Sequence, residues 1–241
     1  MKHLLLPALV ATLSAVSVAW ADAKDDLKAA ARKLADAPGY TWVATTEIEG
    51  GNWTPVPITG KADKSGFAVV SQERDGNTTV AVLKGEKGVV KTDDGWQTAE
   101  ELRAGASGGG GGRGGMRGAA LLRSRPIADE AAKMADKTRS LTVAADGAIG
   151  GDLTEEWAKE LMALGRGGRQ GGGGFEPKNA KGSVKYWVKD GQLSKVQVKV
   201  SGTISFNGED RDMARTTVYE IKDVGATRVE VPEEARKKLG S

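Results

Sequence analysis

The chain has 241 residues, 35 Lys or Arg against 32 Asp or Glu, a formal net charge of +3, no Cys and a single His. Imidazole-dependent triads, thiol nucleophiles, disulfides and Cys/His zinc sites need residue types that are missing or, as His3, confined to the first few positions. No metal or cofactor is expected, and the chemistry that remains belongs to carboxylates, cations and apolar surface.

Residues 1–21 begin with Lys2 and His3, continue through an apolar run and end on Ala19-Trp20-Ala21. A charged start, an apolar stretch and a small-x-small end are the parts of a secretory signal peptide. The run contains Pro7, Ser14 and Ser17, and it falls short of the roughly 20 apolar residues of a membrane span. With no Cys to carry a lipid anchor, the expectation is a soluble exported protein, periplasmic or extracellular, with one mature domain over 22–241.

From 25 to 35, Leu27, Ala30, Ala31 and Leu34 recur at helical spacing, and Pro38-Gly39 ends the pattern, which predicts a short amphipathic helix. The period then becomes two. Residues 40–48, 67–73, 78–84 and 89–92 are β-rich, and between and after them lie Asp63-Lys64-Ser65-Gly66, Asp75-Gly76-Asn77, Gly85-Glu86-Lys87-Gly88 and Asp93-Asp94-Gly95. Such turn chemistry predicts an antiparallel meander of four or five strands.

Two tracts break the pattern. Residues 105–118 hold nine Gly with Arg113 and Arg117, and residues 165–174 hold seven with Arg166 and Arg169. Glycine loses the most backbone entropy on ordering and brings no side chain to bury, so both are expected to be flexible insertions. Arg113, Arg117, Arg166 and Arg169 are candidates for contact with an anionic envelope surface. Nucleic acid is disfavoured, because the tracts lack interleaved Phe or Tyr for base stacking. Neither tract has the Gly-Lys-Ser/Thr ending of a phosphate loop.

Between the tracts lie two helical patterns. Residues 126–137 carry Ile127, Ala131 and Met134, and residues 153–164 carry Leu153, Trp157, Leu161 and Leu164, opening at Asp152 and stopping at Gly165. Each apolar stripe is narrow, so both helices are expected to lie against the sheet. Residues 183–189 lead through Asp190-Gly191 into a long strand with Val196, Val198, Val200, Gly202, Ile204 and Phe206 on one face and Lys195, Gln197, Lys199, Ser201, Thr203 and Ser205 on the other. One face is buried and one is wet. After the Asn207-Gly208-Glu209-Asp210 turn come a strand over 213–222 and a terminal helix through Lys238.

This order of elements, closed by Val229-Glu230-Val231-Pro232-Glu233-Glu234-Ala235, resembles the LolA/LolB-like and mycobacterial lipid-carrier superfamily of exported proteins. The likeness rests on residues 40–91 and 186–235. It implies an α+β fold, in which a curved antiparallel β-sheet forms an unclosed half-barrel with helices packed on the concave face, over a groove for an acyl chain. The two Gly-rich insertions and the missing anchor Cys depart from that pattern.

The acidic pairs Asp93-Asp94, Glu100-Glu101, Glu155-Glu156 and Glu233-Glu234 are neighbours whose side chains point apart, so they do not make a two-carboxylate site. Three of the four fall at expected helix starts, where acids offset the helix dipole. Trp42 and Trp157 fall on apolar faces and suit core packing, whereas Trp187 lies between Lys185 and Lys189, on the opposite face from Val184, Tyr186 and Val188, where it suits a sugar, a membrane surface or, equally, a covering loop or helix. The expectation is a non-enzymatic exported binding protein carrying a lipid or lipoprotein acyl chain, with Trp157, Leu161, Val198, Val200 and Ile204 lining the groove. The alternative is a structural or interaction module of the cell envelope, with a filled core and the Arg/Gly segments as contact loops.

Overall fold

The computed structural model describes residues 16–49, 54–107, 118–164, 177–206 and 209–240. Arg113, Arg117, Arg166 and Arg169, together with Trp53, the Asn207-Gly208 turn, most of the first Gly-rich tract and all of the second, lie outside the described residues.

Alternating runs and tight turns fold into eleven strands among the described residues: β1 (Tyr40–Glu49), β2 (Ile58–Ala62), β3 (Phe67–Arg74), β4 (Asn77–Lys84), β5 (Lys87–Thr92), β6 (Gly95–Thr98), β7 (Thr142–Val143), β8 (Ile149–Asp152), β9 (Lys178–Lys189), β10 (Gln192–Phe206) and β11 (Glu209–Lys222). All belong to one sheet of order β6-β5-β4-β3-β2-β1-β11-β10-β9-β8-β7. The N-terminal meander and the C-terminal strands join where β1 pairs antiparallel with β11, from Thr41 opposite Lys222 to Glu49 opposite Ala214. β6 and β7 end the sheet without pairing to each other, so it stays open. The fold is α+β, a curved open antiparallel sheet with helices on its concave face.

Helices among the described residues include α1 (Val16–Ala35), α2 (Ala99–Ser107), α3 (Ile127–Asp136), α4 (Glu155–Leu164) and α5 (Glu233–Leu239). The two expected middle helices are α3 and α4. α1 is longer than its amphipathic stripe predicts and joins them over the sheet. Leu27, Ala31 and Leu34 of α1, Ile127, Ala131 and Met134 of α3, and Ala158 and Met162 of α4 share one core with Tyr40, Trp42, Val70, Leu83, Tyr186, Val196 and Ile204 of the sheet. Burying each large apolar side chain contributes about 1.5–3 kcal/mol, which is what lets three helices hold to one sheet face. Two tyrosines seat α3. Tyr186 donates its hydroxyl to the Ala131 carbonyl at 3.4 Å, and the Ala128 amide donates to the Tyr40 hydroxyl at 3.4 Å. Burial pushes both phenols well above their ordinary pKa.

α5 packs on the opposite side of the meander, where Ala235 and Leu239 form a small second core with Phe67, Val82 and Val89. Lys238 ties it to α2 through Glu101 at 2.6 Å. Glu101 also closes a capping box at the start of α2, its carboxylate accepting from the Thr98 amide at 2.8 Å.

The meander has six strands, more than its alternation predicts. β2 escaped because Gly60 interrupts it, and the reason for that glycine lies across the sheet. Gly60 is paired with Trp42, whose ring sits 2.0 Å from where a Cβ would be. The β7–β8 hairpin escaped because Ile-Gly-Gly-Asp reads as a turn. α4 starts later than its sequence suggests: Asp152 ends β8, and Thr154 caps the helix by accepting the Trp157 amide at 3.3 Å.

Candidate functional site

The site is built where β10, β11, α3 and α4 meet. The strict alternation of β10 turns Val196, Val198, Val200 and Ile204 to the concave face, all 8 % exposed or less. On β11 the residues opposite are Tyr219 beside Val196, Thr217 beside Val198, Arg215 beside Val200 and Met213 beside Gly202. The concave face therefore changes character across one strand pairing, from aliphatic on β10 to mixed and partly charged on β11.

α4 crosses above this boundary. Its close approach depends on Gly202, where an added Cβ would lie 2.8 Å from Met162 Sδ and 3.0 Å from the Lys178 carbonyl. Leu161 lines a common cavity with Val198 and Val200, and Arg215 Nη2 donates to the Leu161 carbonyl at 2.6 Å. That carbonyl belongs to the last turn of α4, whose acceptors have no partner within the helix. A cation there also suits the helix dipole.

Glu130, Met134, Leu161, Val198, Val200, Arg215, Thr217 and Tyr219 enclose a cavity of about 50 Å³. That space suits a few water molecules and is well below the roughly 300–1,000 Å³ of a small-molecule pocket. Its electrostatics are set by burial. Desolvation holds the Glu130 carboxyl above its ordinary range, against the opposing pull of Lys133 and Arg125. Desolvation also lowers the Arg215 guanidinium, and with the neighbouring Glu130 charge it pushes the Tyr219 phenol up to about 12. The cavity lining thus combines aliphatic side chains with a cation, a carboxyl and two hydroxyls.

Of the five residues expected to line a groove, Leu161, Val198 and Val200 line this cavity. Ile204 is packed in the core farther along β10, 2 % exposed. Trp157 is half-buried on α4, with Lys137 Nζ 5.9 Å from its ring centre, and its buried indole N–H has no hydrogen-bond partner. Sequence reasoning missed Glu130, Met134, Arg215, Thr217 and Tyr219 as wall residues. A signal for three of them existed: Met213, Arg215, Thr217, Tyr219 and Ile221 alternate on one face of β11, and an Arg in such a series faces the interior.

A second recess, about 260 Å³, lies between the end of α1, the β2–β3 turn and the start of α3, with Asp36, Asp63 and Asp129 among its lining residues. Among the described residues no group of three or more acidic, His or Cys side chains is placed to hold a metal ion. Among the same residues no helix is long and apolar enough to cross a membrane.

No protein-family model matches the chain, and no curated protein matches it. Among solved structures it is similar to LprF from Mycobacterium bovis, at 13% identity over 89% of this chain and 98% of that one, with a TM-score of 0.44. It is similar to the lipoprotein LppX from Mycobacterium tuberculosis, at 11% identity over 88% and 99%, with a TM-score of 0.44. It is also similar to a LolA superfamily protein from Nitrosomonas europaea, at 13% identity over 90% and 96%, with a TM-score of 0.35.

Proposed function

We propose that this is an exported, non-enzymatic binding protein that takes an elongated apolar molecule with a polar end, such as a fatty acyl chain, between α4 and strands β10 and β11. The observation that carries this reading is the cavity wall itself. Leu161, Val198, Val200 and Met134 offer apolar contact, while Arg215, Tyr219, Thr217 and Glu130 add polar groups to the same wall, Thr217 beside Val198 and Arg215 beside Val200. Entry would require α4 to lift, because the cavity is only about 50 Å³. The helix is short, ten residues long. Trp157, with an unpaired indole N–H that costs about 1–3 kcal/mol in a buried place, would gain an acceptor or solvent when α4 moves.

The test is uptake of a fluorescent fatty acid by the purified full chain, with native mass spectrometry of protein from its own cell. Saturable uptake that Leu161→Trp abolishes, by filling the cavity, is the expected result. No uptake and no co-purifying lipid would end the carrier reading.

The small cavity favours a second reading, an interaction module of the cell envelope with a filled core and the Arg113, Arg117, Arg166 and Arg169 segments as contacts. Partner capture that is lost on deleting 105–118, in a protein that takes up no lipid, would select it.

A further inference from the structure

β9 and β10 together contain six lysines, Lys178, Lys181, Lys185, Lys189, Lys195 and Lys199, and no acidic residue. Their apolar residues face the helices, so every lysine is turned to the outer face of the sheet. The register staggers them. Lys195 stands beside Trp187, Lys185 beside Gln197, Lys199 beside Ser183 and Lys181 beside Ser201, so in these four rows no lysine faces another across the hairpin. Successive rows on one face are about 7 Å apart, and a line of single cations runs the length of both strands. Like charges placed directly opposite would destabilise the pair, and this stagger keeps the density high without that penalty.

Some of this charge is already matched. Lys178 meets Asp210 at 3.3 Å and Lys199 meets Glu49 at 3.0 Å, while Lys195 is near Glu220 and lies over the Trp187 ring at 4.6 Å. Lys181, Lys185 and Lys189 are exposed and have no acidic partner among the described residues. Next to them the half-buried Trp187 shares the outer face with Val218, which stands beside Gln197, and Val43, which stands beside Glu220. None of Lys181, Lys185, Lys189 and Trp187 lines either cavity.

We propose that the outer face of the β9–β10 hairpin docks on an anionic lipid bilayer. Unmatched lysines beside an amphipathic Trp, spread over a sheet surface with no groove, suit a planar array of negative headgroups. The lysine stems lie along the sheet while their charges reach outward, and the indole sits at the depth where one edge is apolar and the other wet. A linear polyanion would share the charge but gains nothing from Trp187 or the two valines.

The experiment is co-sedimentation of the full chain with phosphatidylglycerol-containing vesicles and with phosphatidylcholine vesicles, at low and at physiological salt. Binding to the anionic vesicles alone is expected, with Lys181→Glu/Lys185→Glu weakening it at least about tenfold, because each basic residue near such a surface contributes substantially. Trp187→Ser should weaken it severalfold at equal charge. A control pair of equal charge change far from the hairpin, Lys64→Glu/Arg74→Glu, should lose less than about threefold. Circular dichroism melting confirms that each variant is folded. Failure to sediment with anionic vesicles, equal loss in the control pair, or binding to soluble polyphosphate that Trp187→Ser leaves unchanged would overturn the proposal. These outcomes are independent of whether the concave face takes up a fatty acid.

Discussion

Arg215 of β11 donates from Nη2 to the main-chain carbonyl of Leu161 in the last turn of α4, over 2.6 Å. The bond joins a desolvated cation of the sheet to the helix that covers it. A hydrogen bond involving a charged group contributes about 1.5–3 kcal/mol, but burying the guanidinium offsets much of that. The net effect on global stability is therefore small, and the local effect on α4 is large.

Arg215→Met should change the stability read from urea unfolding by no more than about 1 kcal/mol. Amide hydrogen exchange across residues 155–164 should nonetheless accelerate at least about tenfold, since opening α4 no longer breaks a charge-assisted bond. Unchanged exchange in α4 would mean that the arginine does not hold the helix.

Glu130 gives a pH signature. Its folded pKa is raised by desolvation while the unfolded chain titrates normally, so its contribution is complete below the ordinary carboxylate range and is lost as pH rises through the folded value. Glu130→Gln should therefore be more stable than the parent at pH 7, with the advantage shrinking as pH falls toward 4. Melting temperatures of both proteins from pH 4 to 8 check this, since all other groups cancel in the difference. A constant difference would remove the burial argument.

Two glycines should rank in a set order. Gly60→Ala drives a methyl group into the rigid Trp42 ring, whereas Gly202→Ala meets first the flexible end of Met162. Overpacking typically costs 1–3 kcal/mol, so the first is expected near about 3 kcal/mol and the second near about 1 kcal/mol. Met162→Ala combined with Gly202→Ala should show favourable coupling in a double-mutant cycle, read from denaturant unfolding.

Trp157→Phe removes an indole N–H that is buried without a partner. Loss of ring area and relief of the unpaired donor oppose each other, and stability is expected to stay within about 1 kcal/mol of the parent. A loss of several kcal/mol by thermal unfolding would indicate that the N–H is satisfied in solution.

Much of the fold was legible because it is written in local physics. Strict alternation in β10 and the left-handed Asp190-Gly191 turn, with φ of 54° and 68°, leave little freedom for the C-terminal hairpin. Narrow apolar stripes on α3 and α4 require a partner layer. β2 and β8 were hidden because their glycines answer to neighbours distant in sequence, as Gly60 does to the Trp42 ring. Of the site, Leu161, Val198 and Val200 could be named from periodicity, while Glu130 could not, since an acid on a helix is ordinarily solvated. Ile204, on the same strand face, packs into the core away from the cavity, because the space a side chain finds depends on which helix crosses above it.

The sequence by itself determined the strand faces, the hairpin turns and the absence of thiol chemistry, because these depend on each residue and its nearest neighbours in the chain. Only the tertiary structure decided that β1 pairs with β11 to join two halves into one open sheet, that α4 settles over Gly202, and that Arg215 and Glu130 share a small cavity. Those outcomes depend on contacts between residues far apart in sequence, where shape and desolvation, not local propensity, set the result.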